Sequence, residues 1–195
     1  MSQICYLSFN QVSLRRPSLH SRLKGRGRDE QDPAMGPAGV PCLSAPSYNR
    51  PQARISRVIS RTGDGPLYAV LAALLWWQGE AQREVVQVAL LAFAAELPLY
   101  LLLKNALRRQ RPVGLPVFIT PSDRYSLPSG HTAAAFLMAT VLAASFPLWA
   151  PLLFLWAILV GASRLLLGVH YLSDLVAGAL LGGGCALWAL NWSQG

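Results

Sequence analysis

Lys104, Arg111, Ser129, Gly130, His131, Arg164, His170 and Asp174 place in a mostly apolar chain the side chains that phosphate transfer requires. They fall in three clusters: Lys104 with Arg111-Pro112, then Pro128-Ser129-Gly130-His131, then Ser163-Arg164 with His170 and Asp174. A carboxylate four residues after a histidine is its neighbour on a helix face, where it accepts one imidazole N–H, fixes the tautomer and leaves the other nitrogen as a nucleophile. His170 and Asp174 have that spacing. Ser129-Gly130 opens an apolar run, and the free N–H groups and positive dipole end of a helix start favour a phosphate. Lys104, Arg111 and Arg164 bring positive charge to phosphoryl oxygens in the transition state, and His131 suits the acid that protonates the leaving oxygen. Taken singly, Lys104, Arg108 and Arg109 read equally well as interfacial anchors at a helix end, and His131 and His170 read more readily as interface or helix-cap residues than as catalysts. The order and spacing of the clusters together carry the assignment.

The elements that must position them are hydrophobic. The chain has 195 residues, 53% of them hydrophobic, with mean hydropathy +0.35. Its apolar runs exceed what a soluble core of this size needs, which predicts an all-α integral membrane helical bundle of about five transmembrane helices. The runs lie near 66–78, 84–103, 130–148, 150–164 and 173–192. The first is short for a hydrocarbon core of about 30 Å. Trp76 and Trp77, and Trp188 and Trp192, suit an interfacial aromatic belt. Gly178 and Gly182 permit close helix packing, read here as packing within the bundle. If the chain crosses at every run, all three clusters meet on one membrane face.

The net charge of +8 sits in the N-terminal part, where residues 1–65 carry ten of the 17 Lys/Arg. Residues 1–50 are rich in Pro, Ser, Gly and Arg and lack an apolar period, so a disordered basic tail is expected, drawn to anionic lipid headgroups rather than to nucleic acid. The stretch Ile4–Phe9 is too short for a signal peptide. Over 51–65, Ile55, Val58 and Ile59 interleave with arginines, predicting an amphipathic juxtamembrane segment before the Gly63-Asp64-Gly65-Pro66 turn. A membrane phosphatase domain follows over 66–192. Cys5, Cys42 and Cys185 lack metal-ligand spacing, so no zinc site or disulfide framework is expected. Glu96, eight residues before Lys104, is an ionisable group deep in a span; it reads either as a functional residue or as a hydrogen-bonded packing residue.

Lys104-x6-Arg111-Pro112, Pro128-Ser129-Gly130-His131 and Ser163-Arg164-x5-His170-x3-Asp174 resemble the three-part signature of the type 2 phosphatidic acid phosphatase (lipid phosphate phosphatase) superfamily, which also holds vanadium-dependent haloperoxidases and glucose-6-phosphatase. The resemblance implies a helical bundle with no cofactor and no metal. It implies His170 as nucleophile forming a phosphohistidine, Asp174 as its orienter and His131 as general acid, with Lys104, Arg111, Ser129, Gly130 and Arg164 holding phosphate. Many membrane members have six spans where five are counted here. With five, the arginine bias places the site on the cytoplasmic side of a bacterial inner membrane. A site at span ends favours a lipid phosphate or isoprenoid diphosphate substrate. A lipid phosphotransferase using the same phosphohistidine, a haloperoxidase and a noncatalytic membrane scaffold are the competing readings.

Overall fold

The computed structural model describes residues 50–112, 118–119 and 123–194. The basic tail expected at 1–50, with Cys5 and Cys42, lies outside the described residues apart from Arg50. Among the described residues every regular element is helical: α1 (Arg50–Arg61), α2 (Gly65–Gln78), α3 (Glu80–Leu107), α4 (Gly130–Ser145), α5 (Ala150–Leu166) and α6 (Leu172–Gln194), with a 3₁₀ turn at Pro147–Trp149.

Leu90, Leu101, Leu152, Ile158 and Leu180 point outward and are exposed. Such a surface is at home against lipid tails, not water. Three helices are long and apolar enough to cross a bilayer: Glu80–Leu107, Pro147–Leu166 and Leu172–Gln194. α4 has 16 residues and α2 has 14, about 24 and 21 Å of helix at about 1.5 Å per residue. The five expected runs thus become three full-length helices and two short ones. For α4 the packing explains the length. It lies against α3, α5 and α6, and Ala133, Ala135, Leu137, Ala139 and Val141 along it are fully buried. A helix sheathed in other helices need not match the bilayer itself.

The α4–α6 contact is close because α6 offers glycines to it. A Cβ at Gly178 would stand 2.6 Å from the Ser129 carbonyl oxygen, and one at Gly182 would land on the Ala133 carbonyl. The Gly178-x3-Gly182 pattern therefore seats α6 against α4 of the same chain. α2 and α3 are joined at Gly79, whose φ of 144° and ψ of −174° belong to a region open essentially to glycine alone. At the helix ends remote from the clusters, Trp77 and Trp192 are exposed, and the Arg83 guanidinium stands 5.7 Å from the Trp76 ring, as an interfacial belt requires.

α1 docks on α5 through small side chains. Ala53, Ser56 and Ser60 are buried while Ile55 and Val58 remain 62% and 63% exposed, leaving the apolar residues of this amphipathic helix free to meet lipid. The turn that follows is pinned to α5: Trp156 Nε1 donates to Thr62 Oγ1 at 2.9 Å, and a Cβ on Gly63 would come within 2.8 Å of Val160.

Candidate active site

Five chain segments end at one pole of the bundle: the α1–α2 turn, the C-termini of α3 and α5, and the N-termini of α4 and α6. α3 brings Lys104 in its last turn and stops at Arg108, a left-handed residue with φ 45° whose N–H returns to the Lys104 carbonyl. The chain beyond it carries Arg109 and Arg111. Lys104 is buried, and its ammonium donates to both Tyr100 Oη and Asp123 Oδ2. Tyr100 Oη itself donates to Asp123 Oδ2 at 2.8 Å. Arg111 donates through Nε to the Asp123 carbonyl at 3.1 Å and through Nη1 to the Val169 carbonyl at 2.7 Å, beside His170. Burial alone would raise the Asp123 carboxyl, but hydrogen bonds from Lys104 and Tyr100 outweigh it and hold the group below its ordinary range.

α4 opens at Gly130 with Ser129 as its N-cap residue, so the first-turn N–H groups have no acceptor within the helix. The Ser129 hydroxyl is 2.9 Å from Thr132 Oγ1, and its N–H donates to the Asp174 carbonyl at 3.0 Å, tying the α4 start to the α6 start. A Cβ on Gly130 would come within 3.1 Å of the Tyr100 ring, so glycine lets the helix start approach α3. From α5, buried Arg164 donates through Nη1 to Ser60 Oγ at 2.8 Å, while its Nε has no partner among the described residues.

His170 lies just before α6, after Gly168 (φ 72°) has ended the α5 turn. It is 3% exposed; its Nδ1 stands 3.6 Å from Asp174 Oδ2, within ion-pair range and beyond a hydrogen bond. Asp174 is fully buried and doubly held. Oδ2 accepts the Tyr171 N–H at 2.8 Å and Oδ1 pairs with Arg109 Nη1 at 3.0 Å. The four-residue spacing thus works across the entry of a helix, with Asp174 also capping that entry. Burial, joined by the Arg111 and Arg164 guanidinia and only partly opposed by Asp174, pushes the His170 imidazole below its ordinary value. The shift favours the neutral ring, the form that can attack phosphorus. His131, in the first turn of α4, has Nε2 at 2.9 Å from Asp64 Oδ1.

Lys104, Arg111, Ser129, Gly130, His131, Arg164, His170 and Asp174 all stand at this pole. Glu96 does not. It is buried on α3 two turns deeper than Lys104, and no hydrogen bond joins it to the cations among the described residues. The structure adds Tyr100, Asp123, Arg109, Ser60 and Asp64. Tyr100 was legible one turn before Lys104 on the same helix face, and Arg109 by its place two residues before Arg111. Asp64 and Asp123 gave no local signal, since their partners are distant in sequence.

Comparison with known proteins gives the family and the fold. Residues 85–195, from α3 onward, match the family model described as the PAP2 superfamily. A lipid A 1-phosphatase of Rhizobium etli is 28% identical over 154 residues, an alignment spanning 66% of this chain and 66% of the relative's length. The crystal structure of Aquifex aeolicus LpxE superposes with a TM-score of 0.66 at 29% identity, covering 74% of this chain and 88% of that one. A transmembrane PAP2 type phosphatidylglycerolphosphate phosphatase from Bacillus subtilis superposes with a TM-score of 0.64 at 23% identity over 76% and 79% of the two chains, a likeness of fold. With the matched region holding all three clusters and over half the residues, the chain belongs to the PAP2 superfamily.

Proposed function

We propose that this protein is a membrane-bound, metal-independent phosphohydrolase that removes phosphate from a lipid phosphate or isoprenoid diphosphate through a phosphohistidine. One observation carries the reading: the buried imidazole of His170, with Asp174 on its Nδ1 side, lies beside Arg111 and Arg164 at the same pole as His131 and the α4 helix start. His170 Nε2 attacks phosphorus. The bond to the leaving oxygen breaks, His131 gives that oxygen its proton, and the lipid alcohol departs, or the isoprenoid monophosphate where the substrate is a diphosphate. Water then attacks the phosphohistidine, His131 takes a proton from it, and inorganic phosphate leaves with His170 restored. Lys104, Arg111, Arg164 and the α4 N–H groups hold the phosphoryl oxygens throughout.

The lipid nature of the substrate is supported by the relatives, which are phosphatases of lipid A and of phosphatidylglycerolphosphate, and by the site's place at the ends of lipid-facing helices. Arg54, Arg57 and Arg61 on α1 share its pole, whereas Arg83 at the other is paired with Glu80 at 3.5 Å. That bias supports a cytoplasmic site in a bacterial inner membrane. The test is phosphate release from a panel of lipid phosphates by protein purified in detergent, with ³²P transfer to the protein. Wild type should release phosphate and carry alkali-stable label, and His170→Ala should do neither. Turnover surviving in His170→Ala would remove the proposed nucleophile.

A further inference from the structure

The residues matched to the family begin at 85, yet a carboxylate from the preceding α1–α2 turn reaches the proposed general acid. Asp64 Oδ1 lies 2.9 Å from His131 Nε2. Asp64 occupies the N-cap position of α2 with extended backbone (φ −87°, ψ 147°), where an aspartate ordinarily bonds the first-turn N–H groups, but it makes no cap hydrogen bond. Its carboxylate is turned to His131 instead.

The turn is also built to hold this position. Thr62 is tied to Trp156, Gly63 sits against Val160, and Ser60 accepts from Arg164. These contacts hold Asp64 beside two groups of the site, His131 and Arg164, which line a common cavity of about 490 Å³ with it.

We propose that Asp64 is the positioning residue of His131. By accepting the Nε2–H it fixes the ring, so that the Nδ1–H of the imidazolium passes its proton to the leaving oxygen, and the bare Nδ1 of the resulting neutral tautomer later takes one from water. No net charge is lost in either transfer. This inference rests on His131 being the general acid, and the experiment separates the two.

The reporter is kcat/KM, which covers steps up to departure of the leaving group, measured on an alkyl lipid phosphate and on p-nitrophenyl phosphate. A phenolate with a nitro group leaves without a proton; an alkoxide does not. Asp64→Ala should lose about 10- to 100-fold on the alkyl substrate and less than about threefold on the aryl one. Asp64→Asn, which keeps shape and acceptor but not charge, should lose less with the same substrate dependence. In a His131→Ala background, Asp64→Ala should cost nothing more, because the two act as one unit. Equal losses on both substrates, additivity with His131→Ala, or wild-type kinetics in Asp64→Ala would overturn the role of Asp64. His131→Ala with undiminished alkyl turnover would instead overturn the assignment of the acid, and a wild-type protein that releases no phosphate would overturn the proposed function.

Discussion

Gly178→Ala should separate catalysis from folding in this protein. The added Cβ would stand 2.6 Å from the Ser129 carbonyl oxygen, 3.2 Å from Thr132 Cβ and 3.3 Å from the Ala133 nitrogen. Ordinary contact begins near 3.4 Å, so α6 must back away from the α4 start by about 0.8 Å. The obstruction is backbone and cannot rotate aside. Overpacking of this kind costs about 1–3 kcal/mol, and alanine returns about 1 kcal/mol in helix propensity, so the protein should still fold. The shift moves Asp174, one turn up α6, and with it His170, away from Ser129 and His131. Misplacement by about 1 Å can cost about 100-fold in rate, so kcat for phosphate release should fall about 10- to 100-fold. Gly184 has nothing within 4 Å of its added Cβ, and Gly184→Ala should match wild type. Detergent-solubilised protein assayed for phosphate release, with thermal unfolding followed by tryptophan fluorescence, gives both quantities. Wild-type kcat in Gly178→Ala, or an equal loss in Gly184→Ala, would refute the argument that the α4–α6 spacing sets the site.

Burial and two guanidinia hold the His170 imidazole below its ordinary value near 6.5, which favours the neutral form of the proposed nucleophile in mild acid. The acid limb of kcat/KM should therefore lie below pH 6.5; a limb above it would contradict this. Asp174 opposes that depression, so Asp174→Asn should move the acid limb further down while lowering the rate, less severely than His170→Ala. Asp123 neutralises Lys104 and part of Arg111, so Asp123→Asn should tighten inhibition by vanadate about tenfold, as loss of one charge-assisted competitor allows; weaker inhibition would show that the carboxylate organises the cations instead. With five crossings, single cysteines placed in the tail should be shielded from an impermeant thiol reagent in intact cells and those near the C-terminus labelled. The reverse pattern would put the site outside, and labelling of both or neither would mean that one short helix, α2 or α4, does not cross.

What was legible in the sequence is what has a local period or a local spacing. Long apolar runs marked α3, α5 and α6, and the interleaved arginines marked α1. The clusters marked the pole where helices end, because each lay at the edge of a run. What escaped was set by tertiary packing. α4 stops at Ser145, short of the expected 130–148 span, where Pro147 opens a separate 3₁₀ turn; that so short a helix is enclosed by others leaves no trace in a run of alanines and leucines. The acids that hold the site escaped for a related reason: Asp64 meets His131 across 67 positions and Asp123 meets Lys104 across 19, and no periodicity connects residues so far apart.

Internal partners explain how a pocket rich in buried cations is sustained. Buried positive groups are costly unless partnered, and here the partners are internal: Asp123 and Tyr100 for Lys104, backbone carbonyls of Asp123 and Val169 for Arg111, Ser60 for Arg164. The pairing is incomplete where the chemistry is placed. Arg164 Nε and His170 Nδ1 are buried and have no hydrogen-bond partner among the described residues. On the proposed mechanism, a phosphoryl group held there would offer acceptor oxygens to the guanidinium, and its bond to His170 Nε2 would strengthen the attraction of Nδ1–H to the Asp174 carboxylate 3.6 Å away. On that proposal, the groups left unsatisfied in the site are those whose bonds would be completed as phosphate is transferred, which would direct binding energy to the transition state.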